Sequence, residues 1–191
     1  MQDKSQTGFS YIDVMIAIVI LMVGILALLA AITSAVVMAK GQEQQLDAKQ
    51  MATSTMESIM SAKETDQDRP APAVLRLGWN AIGNDDSNID PVTGDPQGIF
   101  LTGVQPVLTG AGPDEIIGTG DDDGTVVDGF QRQIVITDVC DPDRPSYNCL
   151  PTPGTLPVKV RNVQILVTYV VGNMQRQESV TTILTDYAVV N

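Results

Sequence analysis

The chain begins with a long apolar stretch. Asp13 and Lys40 are separated by 26 residues without a charge, and the apolar run from Met15 to Met38 would measure about 36 Å as a helix. Because the hydrocarbon core of a bilayer is about 30 Å thick, this pattern predicts a membrane-spanning helix. Signal-peptide cores are shorter, at about 7 to 15 apolar residues, although Val37-Met38-Ala39 leaves a signal-peptidase site as an alternative.

Beyond Lys40 the apolar positions recur at helical spacing, with polar residues between them. These positions are Leu46, Ala48, Met51, Ala52, Thr55, Met56, Ile59 and Met60. We therefore predict one helix from Phe9 to Lys63, ending before the charged, proline-containing segment 66–70. The methionines indicate a gap-filling stripe packed on the rest of the protein rather than a soft-metal site.

The rest of the chain changes from turn-forming to strand-forming sequence. Residues 66–129 are rich in Gly, Pro, Asn and Asp, which predicts a largely irregular connection with one or two short strands. Alternation then predicts strands at Phe130–Val139, Val158–Val171 and Met174–Val190, the last two joined at Gly172-Asn173. The alternation in the first of these two strands runs through Val160, Val163, Ile165, Val167 and Tyr169. The expected core contacts of the last strand are Val180, Ile183, Leu184 and Tyr187. The predicted fold class is α+β, with a long helix packed on a small antiparallel sheet.

Composition excludes several classes of function. The chain has no histidine, which removes histidine-dependent nucleophiles and histidine-ligated zinc. Its net charge of -12 argues against binding to nucleic acid. We find no nucleophile–base pair, phosphate-binding motif or cofactor fingerprint, and adjacent acids such as Asp85-Asp86 lie in a Gly/Asn-rich loop that gives poor support for catalysis. The sequence therefore predicts a protein that is not an enzyme and has no certain cofactor.

The acid nearest the apolar stretch belongs to a specific motif. Gly8-Phe9-Ser10-Tyr11-Ile12-Asp13-Val14 places an aromatic residue after a glycine and an acid five positions beyond that glycine. A charge within hydrocarbon is costly and requires compensation. Over roughly the first 40 residues the pattern resembles the type IV prepilin signature of pilins and pseudopilins. A simpler interpretation, in which Asp13 lies at the membrane interface, stays open.

The resemblance implies a processing pathway and a set of partners. A prepilin peptidase would cut after Gly8 and methylate the amino terminus of Phe9, and Asp13 would neutralise the terminal ammonium of a neighbouring subunit in a filament. Asp13 is one methylene shorter than the Glu that most family members carry. The partners implied are other pilin subunits, the peptidase, the inner-membrane assembly machinery and, before assembly, membrane lipid.

The same resemblance divides the chain into a leader (1–8), a membrane and filament-core helix (9–39), an amphipathic half (40–65), an acidic connection (66–129) and a sheet-containing head (130–191). It implies a bacterial inner-membrane protein with a periplasmic head, and after assembly an extracellular pilus or periplasmic pseudopilus. The run Ile18–Leu28 is similar to minor pilus-modification pilins and minor type II secretion pseudopilins. A major subunit, or a signal-anchored periplasmic binding module, are the alternatives.

Two further features predict sites in the head. Five acids and four glycines lie between Gly112 and Gly124, and the segment resembles the calcium loop of major pseudopilins. The candidate calcium ligands are Asp114, Asp121, Asp122 and Asp123. The alternative is a solvated acidic surface loop that binds no cation. Cys140 and Cys149 would form one disulfide after export, or remain two thiols in a cytosolic protein.

Overall fold

The computed structural model describes residues 10–64, 78–89, 94–139 and 158–186. The chain forms two compact units, residues 1–43 and 44–191. Within the described residues, the elements are one long helix, α1 (Tyr11–Glu64), a short 3-10 helix (Trp79–Ala81) and four strands. The strands are β1 (Val104–Leu108), β2 (Val126–Asp138), β3 (Val160–Val171) and β4 (Met174–Thr185). The predicted α+β class is confirmed.

Helix α1 follows the predicted length closely. It ends at Glu64, before the charged and proline-containing segment, as predicted. Gly24 lies within the helix without interrupting it, which agrees with glycine being a much weaker helix breaker than proline. The last turn carries Lys63, whose charge is favourable at the negative end of the helix dipole.

The sheet is an antiparallel meander in the order β1-β2-β3-β4. The pairing of β2 with β3 is regular, with Ile134 opposite Ile165, and β3 continues to β4 through Gly172, whose φ of 62° suits a tight turn. The pairing of β1 with β2 is shifted between Pro106 and Leu108. Gly129, at φ 82°, lies on the opposite strand at this irregularity. This irregular segment explains why simple alternation predicts β2 to begin only at Phe130.

The second half of α1 packs on the inward side of this sheet. The buried helix positions recur every three or four residues, as required of one helix face. They are Ala48, Ala52, Thr55, Met56, Ile59 and Ala62. Met51 also packs against the core, whereas Leu46 and Met60 are exposed. The small alanines allow close approach of the backbone, and the predicted methionine stripe is realised through Met51 and Met56.

Two strand positions differ from the sequence expectation. The buried residues of β3 are Arg161, Val163, Ile165, Val167, Tyr169 and Val171, so Val160 lies on the opposite face and its place in the predicted alternating set was wrong. Ile183 is 63% exposed, and its prediction was also wrong. Leu184 is buried and Val180 packs against the core. The two errors have separate causes. On β3, two-residue alternation assigns an inward position to Arg161, which sequence reasoning passed over as a charged residue. On β4, Ile183 and Leu184 are neighbours in the strand and cannot both face inward. Tyr187 lies outside the described residues.

Arg161 is buried because its guanidinium binds several groups at once. It donates to the carbonyl oxygens of Trp79 and Ile82 and to the Asn88 side chain, and it pairs with Asp138 at 3.0 Å. Its guanidinium also lies 4.5 Å from the Trp79 ring centre. Burial lowers the pKa of Arg161, and the hydrogen bond that Arg161 donates to Asp138 opposes that effect. Arg161 therefore fixes the loop containing the 3-10 helix to the sheet.

The connection between α1 and β2 contributes to the core. Trp79, Ile82, Phe100 and Ile116 are buried with the helix and sheet residues. The Asn84 side chain donates to the Ile134 carbonyl oxygen at 2.9 Å and accepts from the Ile136 amide at 3.0 Å. Strand β1 confirms the expectation of a short strand here.

We expect Gly98→Ala to destabilise the head by about 1–3 kcal/mol, the usual cost of overpacking. A Cβ at Gly98 would lie 2.0 Å from the Asn84 carbonyl oxygen and 2.7 Å from the Gly83 carbonyl carbon, both of them backbone atoms. The matched control is Gly120→Ala, whose Cβ would meet only Leu101 at 3.9 Å. Chemical denaturation, followed by Trp79 fluorescence, measures the free energy of unfolding of both variants. Equal stability of the two variants would contradict the prediction.

Candidate functional site

Asp13 lies in the first turn of α1 and has a local partner. Its Oδ2 accepts a hydrogen bond from the backbone amide of Ser10 at 3.2 Å. Ser10 precedes the first helical residue, so Asp13 occupies the third helical position, where an acid reaching back to the preceding amide forms part of a capping box. Sequence reasoning missed this role, although Ser10-x-x-Asp13 was the signal for it.

The apolar half of α1 is exposed in the part of the chain that the structure describes. By length and composition α1 could cross a membrane, and none of its most apolar 18-residue window is buried. A signal sequence near the amino terminus would meet the same criteria. Asp13 therefore lies at the start of an apolar surface that requires lipid or protein around it.

Four predicted site residues cannot be placed. Gly8 and Phe9, the predicted processing residues, lie outside the described residues, as do Cys140 and Cys149. The cleavage site and the disulfide stay predictions.

The acidic loop contains a buried ion pair. Asp122 Oδ2 lies 2.7 Å from Arg132 Nη2, and the two side chains are 8% and 4% exposed. Both Asp122 oxygens also accept from the Gly118 amide, at 3.1 and 2.9 Å. The loop reverses at Gly118, whose φ of 103° favours glycine. The charge of Asp122 is thus already compensated by the protein.

Asp114 and Asp121 lie together in the same loop. Asp121 Oδ2 accepts from the Asp114 amide at 3.3 Å, and Asp121 Oδ1 accepts from the Thr119 hydroxyl at 2.7 Å. Asp114 Oδ1 accepts from the Ile116 amide at 2.8 Å. Burial, with a contribution from the charge of Asp121, raises the pKa of Asp114. These contacts hold the loop closed through its own backbone and hydroxyl donors.

The four candidate calcium ligands are not brought together. Asp122 is paired with Arg132, while Asp123 is exposed and its backbone pairs with Gly110. Among the described residues, no group of three or more acidic or cysteine side chains has the arrangement of a metal site. The residues present do not fit a four-carboxylate calcium site, and the calcium site stays a prediction. A calcium-dependent rise in the unfolding temperature that disappears in Asp121→Asn would support it.

The raised pKa of Asp114 predicts a pH dependence of stability. An acid whose pKa is higher in the folded chain than in the unfolded chain stabilises the fold at acidic pH. This stabilisation is lost as the pH rises from the pKa of the unfolded chain through the higher pKa of the folded chain. We expect Asp114→Asn to gain unfolding temperature relative to the native chain across that interval, because asparagine retains the acceptor for Ile116 without a charge. Thermal unfolding between about pH 3 and 7 measures this difference. A difference that does not change with pH would contradict the prediction.

A small cleft of about 120 Å³ lies beside the ion pair, between β1, β2 and the acidic loop. Its lining includes Leu101, Pro106, Leu108, Thr119 and Ile134. Its charged lining residues, Asp122 and Arg132, are paired with each other. The cleft is smaller than the sites of about 300–1,000 Å³ that usually bind small molecules.

Comparison with known proteins identifies no relative of this chain. No protein-family profile, curated protein or solved structure matches this chain. The family resemblance therefore rests on the amino-terminal residues themselves.

Proposed function

We propose that the chain is a structural subunit, a pilin or minor pilin, of a type IV pilus. The observation that carries the proposal is Asp13, which begins 26 uncharged residues of an exposed apolar helix. An apolar surface of this length is covered by lipid before assembly and by neighbouring helices in a filament. A pseudopilus of type II secretion would use the same helix and is the alternative machine.

The proposal assigns Asp13 a role between subunits in addition to its local one. After cleavage behind Gly8, the terminal ammonium of Phe9 in one subunit meets the carboxylate of Asp13 in its neighbour. Each charge would otherwise be desolvated without a partner, so both are stabilised only in the assembled state. The hydrogen bond from Ser10 holds the Asp13 carboxylate in the first helical turn while its remaining lone pairs can accept further donors.

Mass analysis of the mature amino terminus tests this proposal. We expect the mature chain to begin at N-methylated Phe9. The control is Gly8→Val, whose branched side chain beside the scissile bond should leave the leader attached. A mature chain beginning at Lys40 would show signal-peptidase cleavage and would overturn the proposal. An uncut chain that begins at Met1 would also overturn it, because the Phe9 ammonium would then not exist.

A further inference from the structure

One side of the sheet faces away from α1. We call this side the outer face and define it by the strand positions that alternate with the buried ones. On β1 and β2 these are Val104, Pro106, Gln131, Gln133, Val135 and Thr137. On β3 and β4 they are Val160, Asn162, Gln164, Leu166, Thr168, Val170, Gln175, Gln177, Ser179, Thr181, Ile183 and Thr185.

The outer face carries no charge at these described positions. On the same side of β2, beyond the positions that pair with β3, Asp128 is exposed at the end of the face, because its neighbour Val127 packs against the core. The charged residues at paired strand positions all belong to the opposite, helix-facing side, and they are Arg132, Asp138, Arg161, Arg176 and Glu178. In a chain with 18% charged residues and a net charge of -12, this segregation sets the outer face apart. Solvated sheet faces usually alternate apolar residues inside with polar and charged residues outside.

The chemistry of the outer face excludes several partners. Without Lys or Arg it offers nothing to phosphates, and without an aromatic residue it offers no ring for stacking bases or sugars. It does present apolar side chains to the exterior, including Ile183 at 63% exposure and Val104 at 56%. Amide and hydroxyl side chains surround them. This mixture suits another protein surface that is also uncharged.

A second copy of the same face meets that description. Strand β1 has five residues, β2 has 13, and β3 and β4 have 12 each. At about 3.3 Å per residue and about 4.8 Å per strand, the face measures about 670 Å². A stable interface buries about 800 Å² on each partner, so the face approaches the size of a standard interface. The chain has a net charge of -12, so heads that meet through other, charged surfaces bring like charges together, whereas the paired positions of two outer faces bring none into contact.

We propose that two copies of the chain pair through their outer faces, sheet against sheet. Stacked sheets lie about 10 Å apart with their strands nearly aligned, so Gln, Asn and Thr side chains of the two copies interdigitate around Val135, Leu166 and Val170. The pairing involves residues 44–191 and does not depend on processing of the amino terminus.

The test introduces charge at the centre of the outer face of the full chain, in a nonionic detergent. Gln164 and Thr181 are directly paired on β3 and β4. We expect the native chain to dimerise in sedimentation velocity and the double variant Gln164→Glu, Thr181→Glu to bind itself at least about 100-fold more weakly, since like charges then oppose each other. The control, Thr53→Glu with Ser54→Glu, adds the same charge at exposed helix positions and should dimerise normally.

A charge-exchange experiment identifies the partner. The double variant Gln164→Lys, Thr181→Lys should not pair with itself but should pair with the Glu variant when the two are mixed. A native chain that is monomeric, or Glu and Lys variants that dimerise separately as well as the native chain, would overturn the proposal. Asp13→Asn should still pair, so failure of the filament proposal leaves this result unchanged.

Discussion

We expect that replacing Asp13 by asparagine abolishes incorporation of the chain into filaments. Asparagine retains an oxygen that accepts the Ser10 amide, so the helix cap persists and only the charge is lost. Leaving a desolvated ammonium without its partner costs about 3–5 kcal/mol, which corresponds to a reduction of at least about 100-fold. Immunoblots of sheared filaments, compared with the membrane fraction, measure incorporation.

Two controls separate charge from capping and from folding. Asp13→Glu keeps the charge with one more methylene and should assemble, whereas Asp13→Ala loses both the charge and the cap and should fail as completely as Asp13→Asn. The unfolding temperature of the head should be the same in all three variants. Filaments of native abundance from Asp13→Asn would show that Asp13 acts only as a helix cap.

The sequence predicts the elements of this fold well because each has a strong local period. The uncharged stretch and the amphipathic repeat determine α1, and two-residue alternation determines β2, β3 and β4. The failure on β3 occurs where a polar residue is buried through distant contacts. Arg161 occupies an inward position only because the carbonyl oxygens of Trp79 and Ile82, about 80 positions away, accept its hydrogen bonds. No local pattern contains that information.

The candidate site also combines a feature that local sequence predicts with one that depends on distant contacts. Asp13 and the capping signal at Ser10 are adjacent in sequence and can be identified without a structure. The acidic loop is different, because clustered acids suggest a cation until the position of Arg132 is known. Arg132 lies ten residues beyond Asp122, on a strand whose register places its side chain inward against the loop. Register is a tertiary property, so the ion pair could not be predicted from the loop's composition.

The second large effect that we expect is a loss of stability when the buried ion pair of Asp122 and Arg132 is broken. Arg132→Met should destabilise the head by about 3–5 kcal/mol, because it leaves the Asp122 carboxylate buried without a counter-charge. Trp79, the only tryptophan of the chain and a buried residue, reports unfolding by fluorescence in denaturant. The matched control is Lys159→Met, which breaks the ion pair with Asp186. Both of those side chains are 33% exposed, and exposed pairs contribute at most about 1 kcal/mol.

A double-mutant cycle decides whether charge is the cause. If the cost of Arg132→Met arises from the stranded carboxylate, then Asp122→Asn in the same chain should recover much of it, since asparagine carries no charge and can still accept from Gly118. Additive losses in the double variant would show instead that the Arg132 side chain stabilises the head by packing.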